Sequence, residues 1–322
     1  MDRDIFAPQV PVACEVLKEA VNAGLFPDVL HVCREQGVFE YFRQVRQLEA
    51  FLKWIDGDEL VASRLMAVLI QAGLIAESPD GYRTTATAGY LLFSGELFSV
   101  MELLPPPGPF AAQLRMALGA AVKDSVTPEW GRERLLSIGA SSLLGGVQET
   151  MVVCDMTGRK SLLDLGGGHG LYSAALARKY PDLAITLLDL PAVVPVAQET
   201  AAYFGVGDRI RVVAGDFLQD DIGQDYDVIF CANVIGPRNL AQVLPILRRS
   251  MRPGGRLIIR NRIDDAEESL DNALSRLVWA VRGGQTLWNR DQWQKVLEEQ
   301  QFIRFTTLGI FGIFAVMTVE KN

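Results

Sequence analysis

The sequence predicts a doubly wound α/β domain behind a mostly helical domain that ends in a short hairpin. From Lys160 onward, five short apolar runs (SLLDL, AITLLDL, IRVVAGD, YDVIFCA, GRLIIRN) alternate with helix-length stretches, the pattern of a parallel sheet with crossover helices. Before residue 104 the apolar spacing is three and four, as in amphipathic helices. At 322 residues, the chain is long enough for about two domains of roughly 150 residues.

The N-terminal region, 1–104, carries its helical periodicity in VACEVLKEAVNAGLF, REQGVFEYFRQV and LVASRLMAVLIQAGLI. It ends in LIAESPDGYRTTATAG, where Ser78-Pro79-Asp80-Gly81 is a strong turn signal between two extended runs. Helices followed by a small hairpin give the winged-helix pattern. From Asp28 to Arg64 this region holds five basic and seven acidic residues, against the basic stripe that DNA binding needs. A scaffold or dimerisation role is expected instead, and a homodimer gives the apolar helices a use.

Leu104-Pro105-Pro106-Pro107-Gly108-Pro109 is a rigid break, and the helical segments of 105–159 are expected to link the domains and line a substrate pocket. Residues 160–322 form the α/β domain. The net charge of −8 gives no bulk attraction to nucleic acid or anionic lipid. Cys14, Cys33, Cys154 and Cys231 lie far apart with no C-x-x-C, so neither a disulfide framework nor a metal cage is indicated, and a cytoplasmic setting is expected. The opening MDRDIFAPQV lacks the apolar segment of a secretory signal. Leu308 to Val319, the most apolar run, is too short for a membrane span of roughly 20 residues and reads as buried strand.

The chemistry sits in Asp164-Leu165-Gly166-Gly167-Gly168-His169-Gly170, between a strand and the helix LYSAALARKY. Gly166, Gly168 and Gly170 let the backbone turn sharply and approach a small molecule. Dinucleotide enzymes use G-x-G-x-x-G/A, whereas counting from Gly166 places Leu171 at the small position. The Lys-Ser/Thr of a phosphate loop is also missing. Asp189, at the end of the next strand about 20 residues on, is placed to accept ribose hydroxyl protons. Asp216-Phe217, after the third strand, offers an acceptor and an aromatic face for a purine.

The D-x-G-x-G-x-G spacing resembles the motif of class I S-adenosylmethionine-dependent methyltransferases. LLDLGGGHG, LLDLP, AGDFL and RPGGRLII behind a helical, winged N-terminal domain are similar to the small-molecule O-methyltransferases related to caffeate and hydroxyindole enzymes. The resemblance covers nearly the whole chain. It implies a Rossmann-like catalytic domain, an N-terminal dimerisation domain and S-adenosyl-L-methionine as cofactor. On it, Asp164, Gly166, Gly168, Asp189, Leu190, Asp216, Phe217, Ala232 and Asn233 form the cofactor site, with Asp164 ordering the loop.

The chain departs from that pattern where the chemistry matters. The family places a catalytic His after the fourth strand, in a context such as V-L-H-D-W; lined up from Asp227-Val228, Gly236 stands there. His169 reads as a loop residue rather than a base, and His31 belongs to the N-terminal domain. Ala232 stands where plant members carry Lys, and Asn261 where an acid is usual. Asp264 and Asp265, with Glu267 nearby, are the candidate substitutes for the base; Asn233 and Arg238 are candidates to hydrogen-bond a substrate oxygen.

For the substrate, Phe110 to Met151 and the helix with Trp279 and Arg282 are nominated. The leading expectation is methyl transfer to the O, S, N or C atom of a small aromatic molecule. Two other readings stay open: a cofactor-binding enzyme of this fold doing different chemistry, and a non-enzymatic regulator with a sensor domain.

Overall fold

The strands expected from residue 161 onward assemble into one seven-stranded sheet, in the order β5-β4-β3-β6-β7-β9-β8. They are β3 (Ser161–Leu165), β4 (Ala184–Asp189), β5 (Ile210–Ala214), β6 (Tyr226–Ala232), β7 (Met251–Arg262), β8 (Phe302–Phe311) and β9 (Phe314–Lys321). The computed structural model describes residue 5, residues 24–55, 57–85, 88, 105–119, 131–284 and 286–322. Much of the predicted helix VACEVLKEAVNAGLF lies outside the described residues.

Strands β3 to β7 pair in parallel, as the sequence predicts. The run Leu308 to Val319, expected as one buried strand, is instead split between β8 and β9 by a turn at Gly312, whose φ is +56°. Strand β9 adds antiparallel to β7 and β8 antiparallel to β9, making the sheet mixed. Composition alone could not show this, because an apolar run reads the same through a glycine turn as through a strand.

Helices cover both faces of this sheet. One face packs Val147, Met151, Tyr172 and Leu176 against Leu162, Phe230 and Ile258. The other packs Val243, Leu244, Leu247 and Trp293 against Leu163, Ile229 and Ile259. Both faces being buried explains why the strands read as continuous apolar runs. The sheet order reverses direction at β3 and β6, so the crevice at their carboxyl ends is where such folds bind ligands.

The chain divides into two units, and the division differs from the expected boundaries at 104/105 and 159/160. The α/β unit holds the described residues of Met1–Glu15, Pro128–Ala266 and Leu287–Asn322; the helical unit holds those of Val16–Thr127 and Glu267–Thr286. The helical unit comprises α1 (24–35), α2 (Val38–Tyr41), α3 (Leu48–Ile55), α4 (Glu59–Gln71), β1 (Ile75–Ser78), β2 (Gly81–Thr84), α5 (Pro109–Gly119) and α11 (Leu270–Val281). The α/β unit adds α6 (Arg132–Ser141), α7 (Val147–Val153), α8 (Leu171–Lys179), α9 (Val194–Tyr203), α10 (Leu240–Ser250) and α12 (Arg290–Glu299).

The hairpin forms where the turn signal predicts, with Ser78 opposite Gly81. Helix α11 falls in the helical unit because Ala273, Leu274, Leu277 and Ala280 share the core of Leu65 and Leu69 on α4. Each Leu so buried contributes about 1.5–3 kcal/mol, which decides where an otherwise amphipathic segment docks. Among the described residues, no helix is long and apolar enough to cross a membrane.

Candidate functional site

The site is built at the carboxyl ends of the parallel strands. After β3 the chain turns through Gly166, Gly168 and Gly170, with φ of +63°, +55° and +73°. These are left-handed conformations that favour glycine. At Gly166 a Cβ would lie 2.3 Å from the Val234 side chain, so this glycine also permits close packing. At Gly168 the nearest atom to a Cβ is 3.9 Å away, so the space a side chain would enter there is open.

Asp189, at the end of β4, fastens this loop. One carboxylate oxygen accepts the Gly168 N–H and the other accepts the Leu190 N–H, both at 2.7 Å. A carboxylate has about four lone-pair sites, so one on each oxygen remains for a ligand hydroxyl. Burial pushes the Asp189 carboxyl up, and the two N–H groups pull against that shift. Leu190 beside it is exposed.

Asp164 supports the loop from beneath. It is buried, one oxygen accepts the Ser173 hydroxyl at 2.6 Å, and the other has no partner. Burial pushes it up to about 7, against the Ser173 hydrogen bond and with help from the Asp189 charge.

The next two strand ends supply the other predicted residues. Asp216 is half-buried, and its carboxylate accepts from the Leu218 N–H at 2.9 Å and the Gln219 amide at 2.7 Å. That closes the turn after β5 and presents Phe217, which packs partly on the core beneath. Ala232 is half-buried at the end of β6; Asn233 follows, exposed, with φ of +58° and its N–H on the Arg260 carbonyl at 2.9 Å. Asn tolerates this conformation better than most residues, and such backbone often marks functional sites.

The candidate bases fall differently. Gly236 stands at the entrance to α10: its N–H donates to the Asn239 side chain at 2.8 Å, and a Cβ there would meet nothing within 4 Å. Arg238 is exposed. Asp265 is engaged by Arg290, which donates its Nε at 2.7 Å and its backbone N–H at 3.2 Å, so its carboxylate holds the start of α12. Asp264 is half-buried, with its N–H on the Trp288 carbonyl. Asn261 donates to the Ile235 carbonyl at 2.6 Å, tying β7 to the loop after β6.

His169 is spoken for. Its Nδ1 accepts the Leu171 N–H at 3.2 Å, so the neutral ring carries its proton on Nε2 and donates to Ser142 Oγ, also at 3.2 Å. The Ser142 hydroxyl donates onward to the Ile138 carbonyl at 3.0 Å. Burial, then the Arg260 charge, pushes the imidazole down to about 4, so it stays neutral near pH 7 and anchors the glycine loop to α6.

The substrate segments divide between the units: Phe110 lies on α5 and Trp279 on α11 in the helical unit, whereas Met151 lies on α7 in the α/β unit. The sequence reading passed over Arg260 and Tyr172. Arg260 is a buried residue near the carboxyl end of β7, with the Tyr172 and Phe314 rings against its guanidinium. Its signal was a charge inside an otherwise apolar strand, GRLIIRN.

A doubly wound α/β sheet with a glycine loop at its switch point, backed by a carboxylate on the next strand, defines a nucleoside-cofactor protein. Residues 139–303 match the O-methyltransferase domain model, half of the chain, and the chain belongs to that family. Members of the family use S-adenosylmethionine.

The chain is 32% identical over 135 residues to bacteriochlorophyllide d C-20 methyltransferase of Chlorobaculum tepidum, covering 41% of this chain and 40% of that protein. It is 25% identical over 287 residues to 3-hydroxy-5-methyl-1-naphthoate 3-O-methyltransferase of Streptomyces sahachiroi, covering 79% and 80%. The matches span 32% to 48% of the length of the first four curated relatives. The fold is shared with an O-methyltransferase family 2 protein of Planctomyces limnophilus solved with apigenin, at TM-score 0.69, 20% identity and 99% coverage of both chains.

Proposed function

We propose that this chain transfers the methyl group of S-adenosylmethionine to the O, S, N or C atom of a small aromatic molecule. The observation that carries the reading is the Asp189 carboxylate, which fastens Gly168 and keeps one lone-pair site per oxygen for a pair of vicinal hydroxyls. The open space beside Gly168 leaves room for the cofactor. When bound, S-adenosylmethionine supplies an electrophilic sulfonium methyl.

In this reading Gly166, Gly168, Asp189 and Leu190 hold the ribose side, Asp216 and Phe217 hold the adenine, and Ala232 and Asn233 flank the adenosine. Asp164 orders the loop. The protein's contribution is to align the acceptor with the C–S bond at near-attack distance and to exclude water. With Gly236 at the family's His position, acceptors that need little deprotonation fit best. A thiol near pKa 8.5 or an activated carbon needs less help than a phenol near 10. Of the two acidic base candidates, Asp265 is held by Arg290. Asn233 and Arg238 serve as candidate hydrogen-bond donors to an acceptor oxygen.

The relatives support the substrate class: one is named for carbon methylation of a bacteriochlorophyllide and another for oxygen methylation of a naphthoate. We assign the helical unit, with its hairpin as the wing, a homodimerisation role. Trp54, 42% exposed and stacked on Tyr41 at 4.3 Å, leaves aromatic surface for a second copy. Cys33, Cys154 and Cys231 are free and buried, which suits a cytoplasmic setting.

Titration calorimetry with S-adenosylmethionine and S-adenosylhomocysteine tests the reading. Binding of both is expected; binding of neither overturns it.

A further inference from the structure

We propose that Arg260 and Arg262 seat a carboxylate of the methyl acceptor, so that the substrate is an aromatic acid rather than a neutral ring. The inference rests on the methyltransferase reading and deepens it.

Arg260 lies on β7 among apolar neighbours and is 4% exposed. A buried arginine is rare unless it is fully paired, because desolvating a guanidinium is costly. Here the pairing is incomplete. Among the described residues, the carboxylate within 4 Å of it is that of Glu149, at 3.8 Å from Nη2, beyond hydrogen-bond distance. Its Nε has no hydrogen-bond partner. Beside that long ion pair, two aromatic rings flank the guanidinium: the Phe314 ring centroid is 4.1 Å from its carbon and the Tyr172 centroid 5.7 Å. Such contacts orient a cation without neutralising it.

Arg262 is two residues further along the same strand, hence on the same face. Its guanidinium carbon lies 4.6 Å from the same Phe314 ring, and its Nη1 donates to the Asn233 side chain at 3.3 Å. One phenyl ring is thus flanked by two cations whose Cα atoms are about 7 Å apart. Arginine forks bind carboxylates with two parallel hydrogen bonds, a geometry Lys lacks.

The strand order places this pair on the acceptor side. Asp189 and Asp216 end β4 and β5, on one side of β3, whereas β6 and β7 lie on the other. With Asp189 and Asp216 holding adenosine at the ends of β4 and β5, the end of β7, where Arg262 sits beside Asn233, would be left for the acceptor. Asn233 links the two, its N–H on the Arg260 carbonyl and its side chain on Arg262.

The test is calorimetric titration of the full chain, loaded with S-adenosylhomocysteine, with hydroxybenzoic, hydroxynaphthoic and hydroxyanthracene carboxylic acids, each beside its methyl ester. At least one acid is expected to bind about tenfold or more tightly than its ester. Arg262→Gln and Arg260→Met are each expected to bring acid and ester within about twofold while leaving S-adenosylhomocysteine affinity unchanged, and Arg260→Lys to restore only part of the difference. If Arg260→Met does not fold, the half-buried Arg262→Gln carries the test.

Acids that bind no better than their esters overturn the proposal. So does a variant that weakens S-adenosylhomocysteine and leaves the acid-to-ester ratio intact, because the guanidinium then serves the cofactor's own carboxylate. Failure of S-adenosylhomocysteine to bind sinks the methyltransferase reading itself.

Discussion

Removing the Asp189 carboxylate should uncouple cofactor binding from folding, and its size follows from the bonds it makes. The carboxylate accepts two backbone N–H groups at 2.7 Å, one from Gly168 and one from Leu190. Its two remaining lone-pair sites face the ribose hydroxyls in our account. A hydrogen bond to a charged group contributes about 1.5–3 kcal/mol. Asp189→Ala removes both ligand bonds and the tether on Gly168, but the freed hydroxyls regain water. The expected loss is about 3 kcal/mol, or roughly 150-fold in the dissociation constant of S-adenosylhomocysteine.

Asp189→Asn keeps one acceptor oxygen and loses the charge, so about 1.5 kcal/mol, or roughly tenfold, is expected. The assay is titration calorimetry at fixed salt, with melting scans to show that both variants fold. Affinities within twofold of wild type for both variants would refute the placement of the ribose.

Three further outcomes follow from neighbouring residues. Gly168→Ala should remain folded, at about 1–2 kcal/mol for its left-handed φ, yet lose cofactor binding because the methyl fills the open cradle, whereas Gly166→Ala should melt markedly lower because its Cβ meets Val234 at 2.3 Å; equal melting and equal binding in the two would contradict this. Asp164, raised to about 7 in the folded chain from an ordinary 3.8, binds its proton more tightly when folded. Its contribution is therefore full below the ordinary carboxylate range and is lost as pH rises through about 7, by at most about 4 kcal/mol. Asp164→Asn should flatten that slope in urea unfolding between about pH 4 and pH 7; an unchanged slope would place the proton elsewhere. Asp265→Ala should cost no more than about 1 kcal/mol, since its pair with Arg290 lies at the surface, and should leave methyl transfer unchanged. A large loss of turnover in that variant would restore Asp265 as the base.

Local signals carried far in this chain. The glycine spacing from Gly166 to Gly170 demanded a turn, and all three of its alternating glycines take left-handed backbone. Ser78 to Gly81 marked the hairpin because Pro and Gly fix backbone angles regardless of what surrounds them. Apolar runs separated by helix-length stretches gave β3 to β7.

What failed was information held in distant partners. The face of α11 reads as amphipathic, but only its contact with α4 assigns it to the helical unit. Asp265 looked like a free acid because Arg290 lies 25 residues away. Arg260 sits in the run GRLIIRN as a charge inside an apolar strand, and its burial against Phe314 could be read only once β9 was placed beside β7. The turn at Gly312 was hidden because the residues on both sides of it are equally apolar.

The central claim, that the chain moves a methyl group from S-adenosylmethionine to a small molecule, is tested most directly with cofactor carrying a deuterated methyl. Mass spectrometry of the reaction with an aromatic acid panel should show the labelled methyl on a small molecule, with S-adenosylhomocysteine formed in equal amount. A product that lacks the label, formed while S-adenosylmethionine is left intact, would contradict the account and make the bound cofactor an aid to different chemistry.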